Sequence, residues 1–250
     1  MPANSLLCLS IFLALNIPVN SQSFLTHQLN HSRVDAAKAE KQVTLEKVFE
    51  QTGLSFPPRE IFFRAFKMEQ QFEVWAKGDD GQFVLVKTYP ICKLSGKLGP
   101  KRKQGDLQIP EGFYHIETFN PASRFHLSLR INYPNESDKV LSHAAKPGGD
   151  IYVHGDCVTI GCIPLTDDFI KEVYWLAVLA KANGQNKIPI HIFPAKLTGE
   201  NMNTLEHLYG DSDLLTFWKN LEQGFSYFEK HRRLPVISVT NNGKYRVIEK

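Results

Sequence analysis

A cysteine and a histidine eight residues apart are the residues of this sequence best suited to chemistry. They are Cys162 and His154, in the stretch I-Y-V-H-G-D-C-V-T-I-G-C-I-P-L at Ile151–Leu165. A free thiol is only a few per cent thiolate near neutral pH, and an imidazole within hydrogen-bond reach can deprotonate it and later protonate a leaving amine. The pair therefore indicates acyl transfer, with Cys162 as nucleophile and His154 as general base and acid.

The elements around this pair are expected to hold it at the edge of a sheet. β-branched and aromatic residues at 151–153 predict a strand that delivers His154, and Gly155 begins a loop. Gly161 permits a tight backbone turn before Cys162, so that the N–H groups of these two residues can face a developing oxyanion. Cysteine is also among the most often buried residue types, so a structural thiol at this position stays an alternative.

The cysteine count bears on two further interpretations. After Cys8 the chain has Cys92, Cys157 and Cys162, an odd number. In an oxidising compartment at least one of these three thiols stays free or pairs between chains, and we expect the free one to be Cys162. A Cys92–Cys157 disulfide and two buried thiols are both compatible with the sequence. A zinc site formed by His154, Cys157 and Cys162 is another alternative, although it lacks a fourth ligand at ordinary spacing.

Several separated motifs resemble one known family. The H-G-x-x-x-x-x-G-C core at 154–162, Y-P-I-C-K-L-S-G-K-L-G at Tyr89–Gly99 and G-D-L-Q-I-P-E-G-F-Y at Gly105–Tyr114 resemble the L,D-transpeptidase (YkuD) catalytic domain, and its YafK-like branch in particular. The similarity runs from about Ile61 to Lys250. Three positions depart from the usual family form: Thr159 replaces Ser, Ile160 replaces a second His, and Pro164 replaces Arg or Asn. The role of that second His is therefore not transferred to any residue here.

The resemblance implies a mixed α+β fold, mainly β, in which a β-sandwich or barrel-like sheet carries flanking helices. We expect the catalytic domain at residues 59–198. A helical extension and linker at 24–58 would precede it, and a C-terminal helix and β-hairpin at 199–250 would pack on it.

Local patterns predict the individual elements. Strands are expected at Glu60–Lys67, Phe72–Lys77, Gln82–Thr88, Phe125–Tyr133 and Lys187–Phe193, helices at Ser32–Thr52, 166–182 and Leu214–His231, and a hairpin about Asn241–Gly243. The segment Pro134–Gly149 has the composition of a loop.

The N-terminus resembles a secretory signal peptide at residues 1–23. An apolar run at Leu6–Ile17 precedes small residues suited to cleavage after Ser21, although no Lys or Arg precedes the run. The run is short for a membrane span, and no other apolar run of spanning length follows. We therefore expect export to the periplasm of a Gram-negative type envelope.

The resemblance also implies an activity. Enzymes of this family attack a peptide carbonyl next to a D- or meso-configured centre in peptidoglycan, form a thioester on Cys, and pass the acyl group to an amine or to water. The N–H groups of Gly161 and Cys162 would bind the oxyanion, and the Gly155 carbonyl or Asp156 would orient His154. We expect no cofactor and no metal.

The identity of the acyl acceptor leaves three outcomes open. The YafK-like branch is similar to enzymes that detach outer-membrane lipoprotein from the cell wall, which favours hydrolysis at a meso-diaminopimelate-linked bond. A transpeptidase that forms cross-links or attaches lipoprotein is the alternative. A non-catalytic peptidoglycan-binding module, in which Cys162 is dispensable, is an alternative of another class.

A glycine- and cation-rich block beside the active-site motif is expected to contact the substrate. The resemblance makes Lys93, Ser95, Gly96 and Tyr114 candidate contacts, although packing is the commoner role for a tyrosine next to Phe. Arg102 belongs to a run of cations with no acid among them, namely Lys93, Lys97, Lys101, Arg102 and Lys103. This run either attracts the carboxylates of peptidoglycan stem peptides or is a solvated loop.

Other partners and catalytic histidines are not expected. The net charge of +3 does not indicate nucleic acid, and no repeat, phosphate-binding loop or dinucleotide motif is present. His115, His126 and His143 each lack a nearby Gly-Cys pair, so we do not expect them to be catalytic. The predicted partners are peptidoglycan stem peptides and a wall-linked outer-membrane lipoprotein.

Overall fold

A curled sheet of eight strands organises the described part of the chain, which comprises residues 19–142, 145–210 and 212–248 of a computed structural model. The strands are β1 (Ile61–Phe66), β2 (Gln71–Lys77), β3 (Phe83–Pro90), β4 (Gly112–Ser123), β5 (His126–Ile131), β6 (Tyr152–His154), β7 (Ile163–Pro164) and β8 (Ile188–Phe193). Their order across the sheet is β3-β2-β1-β8-β4-β5-β6-β7. The β1–β8 and β6–β7 pairs are parallel and the other pairs are antiparallel.

The two edges of this sheet meet beside the predicted site. The backbone N–H of Cys92, just after β3, donates to the carbonyl oxygen of Pro164 in β7 at 3.2 Å. Because β3 and β7 are the two edge strands, this hydrogen bond curls the sheet and covers part of both edges. The chain that leaves β3 therefore runs against the segment that contains Cys162.

Six helices and a hairpin cover the sheet within the described residues. They are α1 (Val19–Leu29), α2 (Ser32–Gln51), α3 (Glu136–Leu141), α4 (Asp167–Ala182), α5 (Gly199–Tyr209) and α6 (Asp213–His231), followed by β9 (Val236–Val239) and β10 (Tyr245–Ile248). Helix α4 begins at Asp167 because the hydroxyl oxygen of Thr166 accepts a hydrogen bond from the Phe169 N–H. Most of α4 is apolar and buried, so it forms the centre of one helical layer.

Strand β1 is buried on both faces, which explains its nearly unbroken apolar sequence I-F-F-R-A-F. Its side chains alternate between two layers. Phe63 and Ala65 join the core formed with α2 and α4, whereas Phe66 joins a second core with Trp218 of α6. The sheet is thus the middle layer, and the elements after residue 199 cover the face opposite α4.

The mixed α+β class is confirmed, and so are the predicted helices at 32–52, 166–182 and 214–231 and the terminal hairpin. The loop prediction for Pro134–Gly149 was wrong in part, because α3 lies within it. Asn135 and Asp138 form a reciprocal capping box that begins this short helix. Helix α5 was not predicted from the sequence. The predicted domain boundaries stay predictions.

The predicted signal peptide falls mainly outside the described residues. Its apolar run at Leu6–Ile17 lies wholly outside them, and the predicted cleavage point after Ser21 lies within α1. Among the helices that the structure describes, none combines the length and apolar character needed to cross a bilayer.

Candidate active site

The short parallel pair β6–β7 carries the predicted base at the end of one strand and the predicted nucleophile immediately before the other. The strand register pairs His154 with Pro164. Continuing this register by two residues puts Cys162 opposite Tyr152. Side chains two residues apart on a strand point to the same face, so Cys162 lies on the same face as His154. Ordinary strand spacing then puts the Cα atoms of His154 and Cys162 about 8 Å apart, a separation that the two side chains together can bridge.

His154 is buried, with 1% of its surface exposed. Its Nδ1 is hydrogen-bonded to the carbonyl oxygen of Gly155, one of the two orienting groups that the family resemblance implied. Because a carbonyl only accepts, Nδ1 carries the proton of the neutral ring and Nε2 keeps the lone pair. The ring of Phe125 covers the imidazole at a centroid distance of 4.7 Å. Burial lowers the pKa of His154 although Gly155 and Asp156 act to raise it, so the ring is neutral near pH 7 and can accept a proton.

Cys162 is a free, partly exposed cysteine. Its Sγ lies 3.6 Å from the carbonyl oxygen of Asp150. Burial raises the pKa of the Cys162 thiol, and the Asp150 charge adds to this, while the Tyr152 backbone and Lys101 act in the opposite direction. The resting group is therefore a protonated thiol, which needs a base before it can act as a nucleophile.

The loop between His154 and Cys162 is anchored by two contacts. Cys157 forms a disulfide with Cys92, which settles the alternative that the cysteine count left open. The backbone N–H of Asp156 donates to the carboxylate of Asp167 at 2.8 Å. No local pattern in the sequence indicated that Asp167 would reach this loop.

The disulfide also bears on the zinc alternative. It occupies Cys157, one of the three proposed ligands. Within the described residues, no group of three or more His, Cys, Asp or Glu side chains is arranged to hold a metal ion. The structure thus offers no support for a zinc centre formed by His154, Cys157 and Cys162.

The turn before Cys162 is tightly enclosed. Gly161 has φ of +139°, a conformation that favours glycine, and a Cβ at this position would lie 3.1 Å from the carbonyl oxygen of Gln108. The Gly161 N–H donates to the hydroxyl oxygen of Thr159 at 3.1 Å, and that hydroxyl donates to the Cys162 carbonyl at 2.7 Å. The predicted role of the Gly161 N–H toward an oxyanion therefore requires that this hydrogen bond be shared or released when substrate binds.

Three of the predicted substrate contacts lie at the start of the loop between β3 and β4. Lys93 and Gly96 are exposed. The hydroxyl oxygen of Ser95 is buried, and no residue in the described part of the chain forms a hydrogen bond with it. Buried polar atoms are nearly always satisfied, so this hydroxyl is a group that a bound ligand can pair.

The other two predicted contacts, Tyr114 and Arg102, meet at a buried carboxylate. The Tyr114 hydroxyl donates to Asp138 at 2.9 Å, and an Arg102 guanidinium nitrogen lies 2.8 Å from the same side chain. Burial raises the pKa of Asp138 to about 6, although Arg102 and Tyr114 act to lower it. Tyr114 is only 4% exposed, so its position fits the packing alternative, and its part in substrate binding stays a prediction.

The same loop lines a cleft of about 630 Å³. Its lining residues are Gly96, Lys97, Pro100, Arg102, Lys103, Asp106, Leu107 and Gln108. Acidic groups neutralise part of the cationic run, since Lys101 pairs with Asp106 at 2.6 Å. Lys97 and Lys103 stay exposed, so the cleft keeps a positive wall. Gln108 connects this wall to the turn that precedes Cys162.

Glu111 holds the far end of this loop in place, a role that the sequence analysis missed. Its buried carboxylate lies 2.8 Å from the ammonium group of Lys67 and accepts hydrogen bonds from Trp218 Nε1 and the Gly99 N–H, each at 2.7 Å. Glu111 belongs to the P-E-G-F-Y motif that carried part of the family resemblance. Through Glu111, that motif holds the loop that lines the cleft in place, a structural role distinct from contact with a ligand.

Solved structures with a related shape include two bacterial proteins. One is the helical cell shape determining protein Pgp2 from Campylobacter jejuni, with a TM-score of 0.44 and 18% identity, covering 79% of this chain and 80% of that chain. The other is Bd1075 from Bdellovibrio bacteriovorus, with a TM-score of 0.41 and 19% identity, covering 74% of this chain and 78% of that chain.

Sequence comparisons carry the assignment. The model of the L,D-transpeptidase catalytic domain, YkuD, matches residues 65–190. The chain is 36% identical over 189 residues to YafK of Escherichia coli strain K12, and the match covers 75% of this chain and 73% of that protein. The matched range of the family model includes both strands of the β6–β7 site. This chain therefore belongs to the L,D-transpeptidase catalytic domain family.

Proposed function

We propose that this protein is an exported cysteine hydrolase of peptidoglycan that forms a thioester on Cys162 at a meso-diaminopimelate-linked peptide bond. The observation that carries the proposal is a free thiol just before β7 and, at the end of the paired strand β6, a buried imidazole whose Nδ1 is hydrogen-bonded to the Gly155 carbonyl. The family assignment supports an enzyme that acts on peptidoglycan.

The geometry supports a two-step reaction. His154 Nε2 takes the proton of the Cys162 thiol as Sγ attacks the peptide carbonyl carbon, and the oxyanion is stabilised by backbone N–H groups at the turn. The tetrahedral intermediate collapses with loss of the amine, which takes its proton from the imidazolium, and a thioester is left on Cys162. His154 then deprotonates a water molecule that attacks the thioester, so that a carboxylic acid and the free thiol are released.

The cleft beside the turn suits a substrate with carboxylates. Lys97 and Lys103 are exposed residues of its lining, and cationic walls raise the local concentration of anionic ligands. The hydroxyl of Ser95, the residue before Gly96 of the cleft, has no hydrogen-bond partner among the described residues and is a proposed further contact. Stem peptides of peptidoglycan carry such carboxylates next to D- and meso-configured centres, so they are the proposed substrate class.

We place the enzyme in the periplasm and its preferred bond at the attachment of an outer-membrane lipoprotein to diaminopimelate. The signal-peptide pattern supports export, and the YafK-like motifs support release of lipoprotein. The same thioester can pass to an amine, which would make the enzyme a transpeptidase. The residues of the site do not favour water over an amine, so the choice of hydrolysis rests on the motifs.

The test incubates protein that begins at Gln22 with lipoprotein-bearing peptidoglycan and identifies the muropeptides by mass spectrometry. Cys162→Ala and His154→Ala are the site variants, and His207→Ala, an exposed histidine of α5, is the matched control. We expect wild type and His207→Ala to remove the lipoprotein remnant from diaminopimelate and both site variants to leave it.

The other outcomes separate the alternatives. New diaminopimelate cross-links or newly attached remnants that depend on Cys162 would identify a transpeptidase instead. If no bond changes in a Cys162-dependent way while the protein still binds sacculi, the enzymatic proposal fails and a wall-binding module is favoured.

A further inference from the structure

We propose that Asp167 is a positioning residue for His154 and acts through the peptide group that joins Gly155 to Asp156. The carbonyl oxygen of that peptide accepts the hydrogen bond of His154 Nδ1, and its N–H donates to Asp167 Oδ1 at 2.8 Å. A carboxylate, one peptide group and the imidazole thus form a continuous chain. The inference rests on the proposed role of His154 as the base.

The chain gives the carboxylate two effects on the imidazole. A negative charge that accepts the peptide N–H polarises the peptide, which makes the Gly155 oxygen a stronger acceptor. The stronger acceptor holds the ring with Nδ1 protonated and Nε2 free, and it stabilises the imidazolium that forms when His154 takes the thiol proton. Asp167 reaches neither Cys162 nor the cleft, so both effects must pass through His154.

The backbone is shaped for this approach. A Cβ at Gly155 would lie 2.5 Å from Asp167 Oδ1, so only glycine leaves room for the carboxylate. Asp156 has φ of +62°, a left-handed conformation that is uncommon outside glycine. Asp167 is also the first residue of α4, where the positive end of the helix dipole attracts negative charge. The absence of a side chain at Gly155, the left-handed conformation of Asp156 and the position of Asp167 at the start of α4 all favour the hydrogen bond from the Asp156 N–H to Asp167.

The titratable side chain of His126 also lies close to this chain of groups. A test of the inference must therefore distinguish the titration of His126 from that of His154. A Cβ at Gly155 would lie 3.0 Å from Cβ of His126 in β5, and His126 Nε2 is buried without a partner in the described part of the chain. Burial lowers the pKa of His126, whereas the Asp167 charge acts to raise it. The remaining charges that act on His126 are Lys171, Arg33 and Glu40. On His154, the acting charge is Asp156.

The test compares Asp167→Asn with Asp168→Asn. The two substitutions remove the same charge from adjacent exposed residues at the start of α4, but Asp168 pairs with Lys41, whereas Asp167 accepts from the Asp156 N–H. Nitrogen-15 NMR of the imidazole rings follows His154 from pH 4 to pH 9, with resonances assigned from His154→Gln and His126→Gln. In Asp167→Asn we expect a lower pKa for His154 and a displaced Nδ1 resonance. We expect Asp168→Asn to match wild type.

Kinetics on the lipoprotein-bearing substrate supply the second readout. Asp167→Asn keeps an oxygen that can accept from the Asp156 N–H, but the neutral amide is a weaker acceptor than the carboxylate, which corresponds to about a 5- to 10-fold lower kcat. KM should change by less than about twofold, because Asp167 does not touch the cleft. Should Asp167→Asn fail to fold, Asp167→Ser keeps a short acceptor without the charge and takes its place.

The outcomes distinguish this inference from the proposed function. If Asp167→Asn gives the wild-type His154 titration and kcat while Cys162→Ala is inactive, Asp167 has no positioning role. If the His154 resonance shifts as expected but Cys162→Ala keeps full activity, the positioning stands and the proposed function fails. A change confined to the His126 resonance would also overturn the inference, because the charge would then act on the wrong ring.

Discussion

The carbonyl oxygen of Gln108 lies 3.1 Å from the point where a side chain at Gly161 would begin. Gln108 belongs to the loop that lines the cleft, and Gly161 immediately precedes the proposed nucleophile. The contact therefore joins the wall of the cleft to the turn that sets the position of the thiol. Any group added at Gly161 must displace one of these two segments.

We expect Gly161→Ala to lower the free energy of unfolding by about 1–3 kcal/mol and to reduce kcat by at least about tenfold. The alanine would have to adopt φ of +139° and press against Gln108. Urea unfolding and the muropeptide assay measure the two effects.

Gly105→Ala is the matched control for backbone strain alone. Gly105 has φ of +76°, but a Cβ there meets no atom within 4 Å. This variant should lose stability and keep its kcat. If Gly161→Ala behaves in the same way, the contact with Gln108 does not position Cys162.

The alkylation of Cys162 should have a distinctive pH dependence. Burial raises the pKa of the thiol, so the thiolate fraction is small at pH 7 and grows only as the pH approaches the raised value. In protein that begins at Gln22, Cys92 and Cys157 are joined, and Cys162 is the thiol that iodoacetamide can reach. We expect the rate to rise with an apparent pKa above about 8.5, the ordinary value for cysteine.

A different profile would change the mechanism. A rate that reaches a plateau between pH 5 and pH 7 would indicate a resting thiolate paired with imidazolium, and deprotonation of a neutral thiol by His154 would then be wrong. Denatured protein with its disulfide intact is the control, because its Cys162 should titrate near the ordinary value.

The placement of His154 and Cys162 at the ends of one strand–loop–strand unit could be predicted from the sequence because it is local. His154 and Cys162 are eight residues apart, and the β-branched residues and glycines between the two ends predicted a strand, a loop and a turn. The neighbours that complete the site come from elsewhere. Gln108 and Asp167 reach it through tertiary packing, and no periodicity or motif specifies such a contact.

The sequence alone also overstated the positive charge of the cationic run at Lys93–Lys103. The segment from Lys93 to Lys103 has five cationic residues and no acidic residue. In the structure, however, Lys101 pairs with Asp106 and Arg102 pairs with Asp138. The second acid comes from α3, a six-residue helix inside a segment predicted as loop. Composition predicted flexible backbone there, whereas the capping box of this helix and its ion pair stabilise an ordered one.

The Cys92–Cys157 disulfide should contribute to stability and to activity. The bond closes a loop with a sequence separation of 65 residues, so removing it should cost about 2–4 kcal/mol. Because Cys157 lies in the loop between His154 and Cys162, we also expect a lower kcat. Urea unfolding and the muropeptide assay of Cys92→Ala/Cys157→Ala test both effects.

The thiol count gives an independent check of the same bond. Unreduced, unfolded protein that begins at Gln22 should take up one alkyl group, as seen by intact mass. Uptake of three groups would show that the bridge does not form in solution, and the double variant should then unfold at the same urea concentration as wild type.

Removal of one partner from the buried ion pair between Glu111 and Lys67 should lower the free energy of unfolding substantially. Both side chains are almost fully buried, at 0% and 3% exposure. Glu111→Ala would leave the Lys67 ammonium group without its carboxylate, and it would also remove the acceptor of Trp218 and of the Gly99 N–H. We expect a loss of about 3–5 kcal/mol in the free energy of unfolding, measured in urea.

Two further variants isolate the reason for that loss. Glu60→Ala breaks an ion pair with Lys77 that is 48% and 35% exposed, and it should cost less than about 1 kcal/mol. The double variant Lys67→Met/Glu111→Ala removes both charges, so it should be more stable than Glu111→Ala. If the double variant is instead less stable, the loss comes from the missing acceptor for Trp218 and Gly99, and not from a stranded charge.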